Sequence, residues 1–467
     1  MQNKLLIDGA LVDGAATLDV INPATGQVFA SAARADAAQA EQAIAAARRA
    51  FTGWSALGYQ ARGAQLRALT AALAERSDDL ARLLTTEQGK PLPQARNEVL
   101  GAIAALQYYA DQELTDKLLR ETDTDRIVEQ RYPLGVVAAI TPWNFPLLLL
   151  MLKVAPALIT GNCVIAKPAP TTPLTTLLLG EIAADILPAG VFQTLVDQND
   201  LGPLLTSHPD IAHVSFTGST PTGKKVLSSA VDTLKRFTLE LGGNDAAIVL
   251  DDADIAKVAP KLFSAGTLNA GQVCLAAKRV YVPSAMMDAM CDALAELAQK
   301  ATVGDGLQQG TRIGPIQNKA QYDKVLALIE DSRVVGTIVA GGEAIAGDGY
   351  FIAPTIVRDL PDDARLVREE QFGPVLPILS YDDLEEAIAR ANDSEFGLGG
   401  TVWTSDPARG MEVASRIESG TVWVNKHLDL PFDIPFGGAK WSGIGRQQGI
   451  EGMEDFTQVR VVNAALG

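Results

Sequence analysis

From Gly135 onward, short apolar and β-branched runs alternate with helical stretches, and this rhythm restricts the fold more than any other feature. Residues 136–140 precede a helix after Pro146, and 163–166 precede one from about Pro173. Residues 191–196 precede a helical 201–207. Residues 213–216 precede a helix from about Thr220, and 236–241 follow. Such spacing predicts a parallel sheet covered by helices on both faces. Sheets of this kind bind ligands beyond the carboxyl ends of their strands. A second series, at 247–250, 279–282, 375–381, 400–404 and 420–425, predicts a second α/β domain. Two or three domains are also what 467 residues require, because one core rarely grows that large.

The flanking regions read differently. Residues 36–110 are rich in Ala, Leu, Gln, Arg and Glu, with Asp36 placed to cap a first helix. At least three helices are expected there, with Gly89-Lys90-Pro91-Leu92-Pro93 breaking the second from the third. Residues 114–132 are polar and alternating, and 457–466 are β-rich. A strand at a chain end often pairs with a partner subunit.

Bulk properties exclude several classes. The net charge of −17 disfavours a nucleic-acid backbone or an anionic membrane as partner. The longest apolar run, 147–152, is far short of a membrane span. No export signal is read at the N-terminus. Three cysteines without metal-ligand spacing predict a reducing, cytoplasmic setting and no metal site. The histidines form no triad or metal pattern.

Five settings could carry chemistry. Cys274 ends Asn269-Ala270-Gly271-Gln272-Val273-Cys274, whose composition favours an irregular turn that exposes sulfur for nucleophilic attack. Cys163 and Cys291 read as core residues instead. Glu240 closes a strand just before Leu241-Gly242-Gly243, at the sheet edge where ligands sit. Asn144, in Thr141-Pro142-Trp143-Asn144-Phe145-Pro146, reads either as an oxyanion donor or as a helix N-cap. Phe216-Thr217-Gly218-Ser219 leads from a strand into a helix whose N-terminus could hold a phosphate. It is not a P-loop, because Lys225 stands where Ser or Thr would follow Lys224. Lys167, in Ala166-Lys167-Pro168, could bond ribose hydroxyls or be an ordinary turn lysine. Gly443-Ile444-Gly445-Arg446-Gln447-Gln448-Gly449 reads as a loop outside any βαβ unit.

Taken in order, these runs, with Glu370-Gln371-Phe372-Gly373-Pro374 and Pro435-Phe436-Gly437-Gly438, resemble the aldehyde dehydrogenase superfamily over nearly the whole chain. The resemblance implies an α/β fold with a Rossmann-type dinucleotide-binding domain (1–113 and 133–242), a catalytic domain (243–442), and β oligomerisation arms (114–132 and 443–467). It implies Cys274 as nucleophile, Asn144 and the Cys274 N–H as oxyanion hole, Glu240 as deacylating base, and Lys153 as part of a proton relay. It implies NAD or NADP as cofactor. Lys167 would meet the adenine ribose, Glu370 the nicotinamide ribose and Ser219 the pyrophosphate. Trp143 would lie beside the pyrophosphate and Phe372 near the nicotinamide. Thr141, Pro142, Ala169, Pro170, Gly202, Phe216, Gly218 and Leu241 would complete the cofactor site. The substrate pocket would be lined by Phe145, Leu148, Leu149, Leu152, Val273, Leu275, His427 and Leu430. That lining is apolar and predicts a medium aliphatic or aromatic aldehyde oxidised to its acid, while the arms of the family fold imply a homodimer or homotetramer.

Two positions depart from the family pattern. Pro170 stands where many NAD-preferring relatives carry Glu, which opens the site to NADP. Gln447 stands where many carry a second Glu, which removes an ionisable end from the relay through Lys153. Two rival readings stay open: a cysteine esterase or thioesterase, and a catalytically silent dinucleotide-binding protein. Glu240 itself favours hydrolysis to a free acid over acyl transfer to coenzyme A.

Overall fold

The structure is a computed structural model that describes residues 2–466. Two hairpins come first: β1 (Leu5–Ile7) with β2 (Ala10–Val12), and β3 (Ala16–Asn22) with β4 (Gln27–Arg34). Neither hairpin was expected. In β3 only Val20 is buried, so no apolar alternation marks the strand.

Four helices follow: α1 (Ala37–Ser55), α2 (Tyr59–Glu75), α3 (Ser77–Gln88) and α4 (Leu92–Ala110). Asp36 caps α1 by accepting from the Gln39 N–H, and the Gln39 side chain returns to the Asp36 N–H. The break at 89–93 separates the third helix from the fourth, not the second from the third. Only Arg76 parts α2 from α3, with no Gly or Pro to announce it.

An arm of β5 (Lys117–Glu121) and β6 (Asp125–Pro133) precedes the first large sheet. That sheet takes β7 (Val136–Ile140), α5 (Pro146–Ile159), β8 (Cys163–Lys167), α6 (Leu174–Ala183) and β9 (Phe192–Thr194). It continues with α7 (Gly202–Ser207), β10 (Ile211–Thr217), α8 (Thr220–Ser229) and β11 (Arg236–Glu240). Every residue of β7 and β8 is buried, as expected of parallel strands covered on both faces.

The second sheet uses β12 (Ala246–Val249), α9 (Ile255–Thr267), β13 (Arg279–Pro283), α10 (Met287–Lys300), α11 (Lys319–Val335), β14 (Thr337–Ala340) and β15 (Thr355–Arg358). It goes on through α12 (Arg365–Arg368), β16 (Val375–Tyr381), α13 (Leu384–Asn392), β17 (Phe396–Gly397), β18 (Gly399–Trp403), α14 (Pro407–Ala414) and β19 (Thr421–Val424). Its strand order is β14-β15-β16-β13-β12-β18-β19, and β17 stands apart. All neighbours in it run parallel except β14 and β15.

The C-terminal stretch holds β20 (Ala439–Lys440), β21 (Gly443–Ile444), α15 (Gly449–Glu454) and β22 (Thr457–Ala465). Here the structure corrects the loop expected at 443–449. Gly443 and Ile444 pair antiparallel with Glu240 and Leu239, giving the first sheet the order β21-β11-β10-β7-β8-β9. Two residues carry no strand signal when their partner lies about 200 positions away. Met453 and Phe456 join the first domain's core, so the arm sheet takes only β22, paired with β6 from Thr457↔Pro133 to Ala465↔Asp125. Cys163 and Cys291 are buried in the two domains, as their neighbours suggested. No helix among the described residues is long and apolar enough to cross a membrane.

Candidate active site

The carboxyl ends of β7, β10 and β11 meet the second domain at a cleft of about 660 Å³. Its walls include Pro142, Trp143, Asn144, Gly218, Ser219, Leu241, Cys274, Glu370 and Phe372, nine of the residues singled out from sequence. Thr217 and Gly242, from the same two strand-end runs, also line it, as do Gln321 and Lys324, which sequence reasoning missed. The Trp143 and Phe372 rings meet edge to face at 5.3 Å.

Cys274 is half-buried at this wall. The turn before it is as irregular as its composition implied. Asn269, Ala270 and Gly271 are consecutively left-handed, with φ of 50°, 55° and 73°. Two non-glycine residues in that region store strain of roughly 1–3 kcal/mol each. Gly271 is required twice over, since a Cβ there would lie 2.1 Å from the Gly373 carbonyl oxygen. Gln272 locks the turn: its Nε2 donates to Asn269 O at 2.8 Å, and its Oε1 accepts from Gln317 N at 2.8 Å.

Asn144 does not cap α5. Phe145 occupies that position and makes no side-chain cap bond; the Glu98 carboxylate caps the helix end instead. The Asn144 Nδ2 instead donates to Gln272 O at 3.0 Å, two residues from Cys274. One of its two N–H bonds is thereby fixed and the other left over, an arrangement suited to an oxyanion. The Asn144 backbone is held by a pair that sequence reasoning missed. Lys90 and Glu98, both fully buried, form an ion pair. Lys90 Nζ also donates to Asn144 O at 2.8 Å, while Glu98 Oε1 accepts from Leu147 N at 3.0 Å.

Glu240 ends β11, opposite Gly443, with both carboxyl oxygens buried and without hydrogen-bond partners. Burial pushes its pKa up to about 8, against the opposing pull of Lys153. Lys153, wholly buried in α5, is pushed down to about 7 by burial, and its Nζ donates to Ser215 Oγ at 3.3 Å. Two buried groups that titrate near neutrality therefore influence each other electrostatically here, a pattern associated with acid–base work. The Gln447 backbone pairs with Phe436, and its Nε2 has no partner.

For the cysteine the sequence left two routes: a lowered pKa, or a base to take the proton. Burial pushes the Cys274 thiol up to about 12, only partly opposed by Lys278, which favours the second route. Lys278 was also missed. Its Nζ donates to Cys274 O at 2.5 Å, Gly243 O at 2.7 Å and Glu370 Oε1 at 2.8 Å, tying both motifs to Glu370.

The other expected cofactor contacts divide. Phe216 lies under Gly218, where a Cβ would come within 2.5 Å of its ring. Thr141 donates its N–H to Lys167 O at 3.0 Å. Lys167, Ala169, Pro170 and Gly202 follow or end β8 and β9 and do not line this cleft; Lys167 Nζ is held by Asp197 Oδ1 at 2.6 Å. A dinucleotide fits the residues present. Ser219 sits at the N-cap of the ten-residue α8 with no side-chain cap, which leaves the first N–H groups free for a diphosphate.

Beside Cys274, Phe145, Val273, Leu275 and Leu430 pack in one apolar cluster, joined by Leu268, Leu398, Leu428, Trp423 and Phe436, which sequence reasoning missed. Leu148, Leu149 and Leu152 pack instead with the first domain's core. His427 is kept neutral, its pKa pushed down to about 4 by burial, and its Nε2 lies 2.6 Å from Leu275 O.

A buried carboxyl group poised near neutrality, a strained cysteine turn and a cleft with a free helix N-terminus suit covalent oxidation of a carbonyl carbon beside a dinucleotide. Residues 11–462 match the model of the aldehyde dehydrogenase family. Betaine aldehyde dehydrogenases of Rhizobium leguminosarum and Rhizobium etli are each 39% identical, over 99% and 96% of this chain and 97% and 94% of theirs. A solved Staphylococcus aureus betaine aldehyde dehydrogenase in complex with NAD+ superposes with TM-score 0.96 at 33% identity, covering 99% of this chain and 94% of that one. An Escherichia coli NADP-dependent enzyme does so with TM-score 0.97 at 36% identity, covering 99% and 98%. The chain belongs to the aldehyde dehydrogenase family and is an NAD(P)-dependent enzyme of that class.

Proposed function

We propose that this enzyme oxidises a medium aliphatic or aromatic aldehyde to its carboxylic acid, with Cys274 as the attacking group. Cys274 Sγ adds to the carbonyl carbon, and its proton goes to a base because the thiol is held un-ionised. The alkoxide forms against the spare Asn144 N–H and the Cys274 N–H. A bound nicotinamide supplies the acceptor for the hydride that leaves that carbon. Glu240, as carboxylate, takes a proton from the water that cleaves the resulting Cys274 thioester. Trp143, Gly218, Ser219, Glu370 and Phe372 are the residues that would hold the cofactor's reactive half. The observation that carries this reading is the unpartnered, buried Glu240 carboxyl group with its pKa near 8, directly before Leu241 and Gly242, which share a cleft wall with Cys274.

The base role has a sign that can be checked. Glu240 works only when ionised, so where deacylation limits turnover kcat climbs with pH through about 8. Lys153→Met removes a cation that lowers the Glu240 pKa, so the midpoint of the kcat profile moves to higher pH. Each unit of movement lowers kcat at pH 7 by about tenfold. A midpoint unchanged or moved downward would separate Lys153 from Glu240.

Substrate choice follows the apolar cluster beside Cys274, which contains no cation to anchor a distal carboxylate. Hexanal or benzaldehyde is expected to exceed succinate semialdehyde in kcat/KM by about tenfold or more. The reverse order would overturn the substrate assignment. Betaine aldehyde is the second candidate, prompted by the names of the relatives and by Trp423 and Phe436, whose rings could receive a quaternary ammonium. It belongs in the same panel. The three free cysteines support a cytoplasmic setting. The arm sheet, with Leu118, Leu119, Val461 and Val462 exposed, supports a homodimer or homotetramer.

A further inference from the structure

The start of α4 reaches both halves of the site from behind the cleft. Lys90 stands just before the helix, and Gln94 and Glu98 lie one turn apart on the same face of it. Gln94 Oε1 accepts from Asn269 N at 3.1 Å, on the strained turn that leads to Cys274. Glu98 Oε1 accepts from Leu147 N at 3.0 Å and Leu148 N at 3.3 Å, at the start of α5. Between these two contacts, Lys90 Nζ donates to Asn144 O at 2.8 Å and lies 3.7 Å from the centre of the Phe145 ring.

We propose that Lys90 and Glu98 are positioning residues for the oxyanion donor, holding Asn144 of the first domain in register with the cysteine turn of the second. The proposal rests on the reading above in which Asn144 faces the alkoxide. The Asn144 amide is itself held at a single point. Its Nδ2 donates to Gln272 O at 3.0 Å, and its Oδ1 has no partner among the described residues. The aim of the spare N–H is therefore set by the backbone of residue 144. That backbone is clamped, because Asn144 O accepts from Lys90 Nζ and also from Asn269 Nδ2 at 3.0 Å, which fills both of its lone pairs.

The ion pair is what allows a cation to sit there. Both side chains are fully buried, and a lysine stays charged in such a place only with an anion beside it. The hydrogen bonds of the two side chains go to each other, to Asn144 O and to the start of α5. They converge on the segment that carries the donor. A donor must sit where charge develops on the oxygen, and a misplacement of about 1 Å costs about 10²-fold in rate.

The test is the rate of cofactor reduction in the first turnover, followed by rapid-mixing absorbance with NAD+ and the fastest of hexanal, benzaldehyde and betaine aldehyde. Wild type, Lys90→Met/Glu98→Gln, Asn144→Ala and the variant with all three changes form a double-mutant cycle. The paired change removes both charges together and leaves no lone ion in the interior; Lys90→Met alone is the second variant. Thermal melting reports folding, and calorimetry reports NAD+ binding. Asn144→Ala keeps the backbone oxygen that Lys90 holds, so a merely structural loss would be the same in both backgrounds. The paired change is expected to slow the first turnover by about 10–100-fold where Asn144 is present and by less than about threefold where alanine replaces it. NAD+ affinity stays within about threefold of wild type. A folded variant with the wild-type rate, or equal slowing in both backgrounds, overturns the proposal and leaves the dehydrogenase reading intact. An Asn144→Ala enzyme as fast as wild type takes Asn144 out of the oxyanion site, and overturns both that assignment and the proposal.

Discussion

Cys274→Ala is expected to lose about 10⁵-fold or more in kcat, with no pre-steady-state burst of reduced cofactor. Alanine is smaller than cysteine and lacks only the sulfur, so the turn made by Asn269, Gly271 and Gln272 should persist. The Lys278 bond to the residue-274 carbonyl is a backbone contact and is kept. Cofactor affinity should therefore stay within about threefold of wild type. Loss of activity with intact binding assigns the defect to chemistry. Rapid-mixing absorbance at 340 nm with parallel calorimetry reads both quantities. A variant that retains a tenth of wild-type turnover would remove the sulfur from the reaction.

Glu240→Gln is expected to separate the two halves of the reaction. The amide is close in shape and cannot accept a proton from water, so thioester hydrolysis should fall by about 10²–10⁴-fold. Attack and hydride loss remain, so about one equivalent of reduced cofactor per competent site should still appear in the first turnover. The substitution also removes a buried ionisable group with no hydrogen-bond partner, so no loss of thermal stability is expected at pH 7. Burst and steady rate slowed by the same factor would place Glu240 before the thioester rather than after it.

Much of this site was legible in sequence because its chemistry sits in short contiguous runs. Asn269 to Cys274 spells out an irregular turn, and Leu239 to Gly243 puts a carboxylate at a strand end with glycines beside it. The sheet followed equally well where strands are buried on both faces, as in β7, β8 and β16. What escaped reading was pairing across the chain. Lys90 meets Glu98 and Asn144, Lys278 meets Glu370, and Lys167 meets Asp197; each contact depends on elements that only the fold brings together. Strand β21 was hidden for the same reason, and β3 because one side of it faces solvent. The pKa of Cys274 was also invisible, since burial rather than the neighbouring residue types decides its direction.

The most direct measurement is mass spectrometry of Glu240→Gln quenched in acid after one turnover with hexanal and cofactor, followed by proteolysis. A hexanoyl adduct on the peptide that carries Cys274, at close to one per active subunit, and none on the peptides with Cys163 or Cys291, is the expected result. An unmodified Cys274 peptide alongside a full burst of reduced cofactor would contradict covalent catalysis at this sulfur.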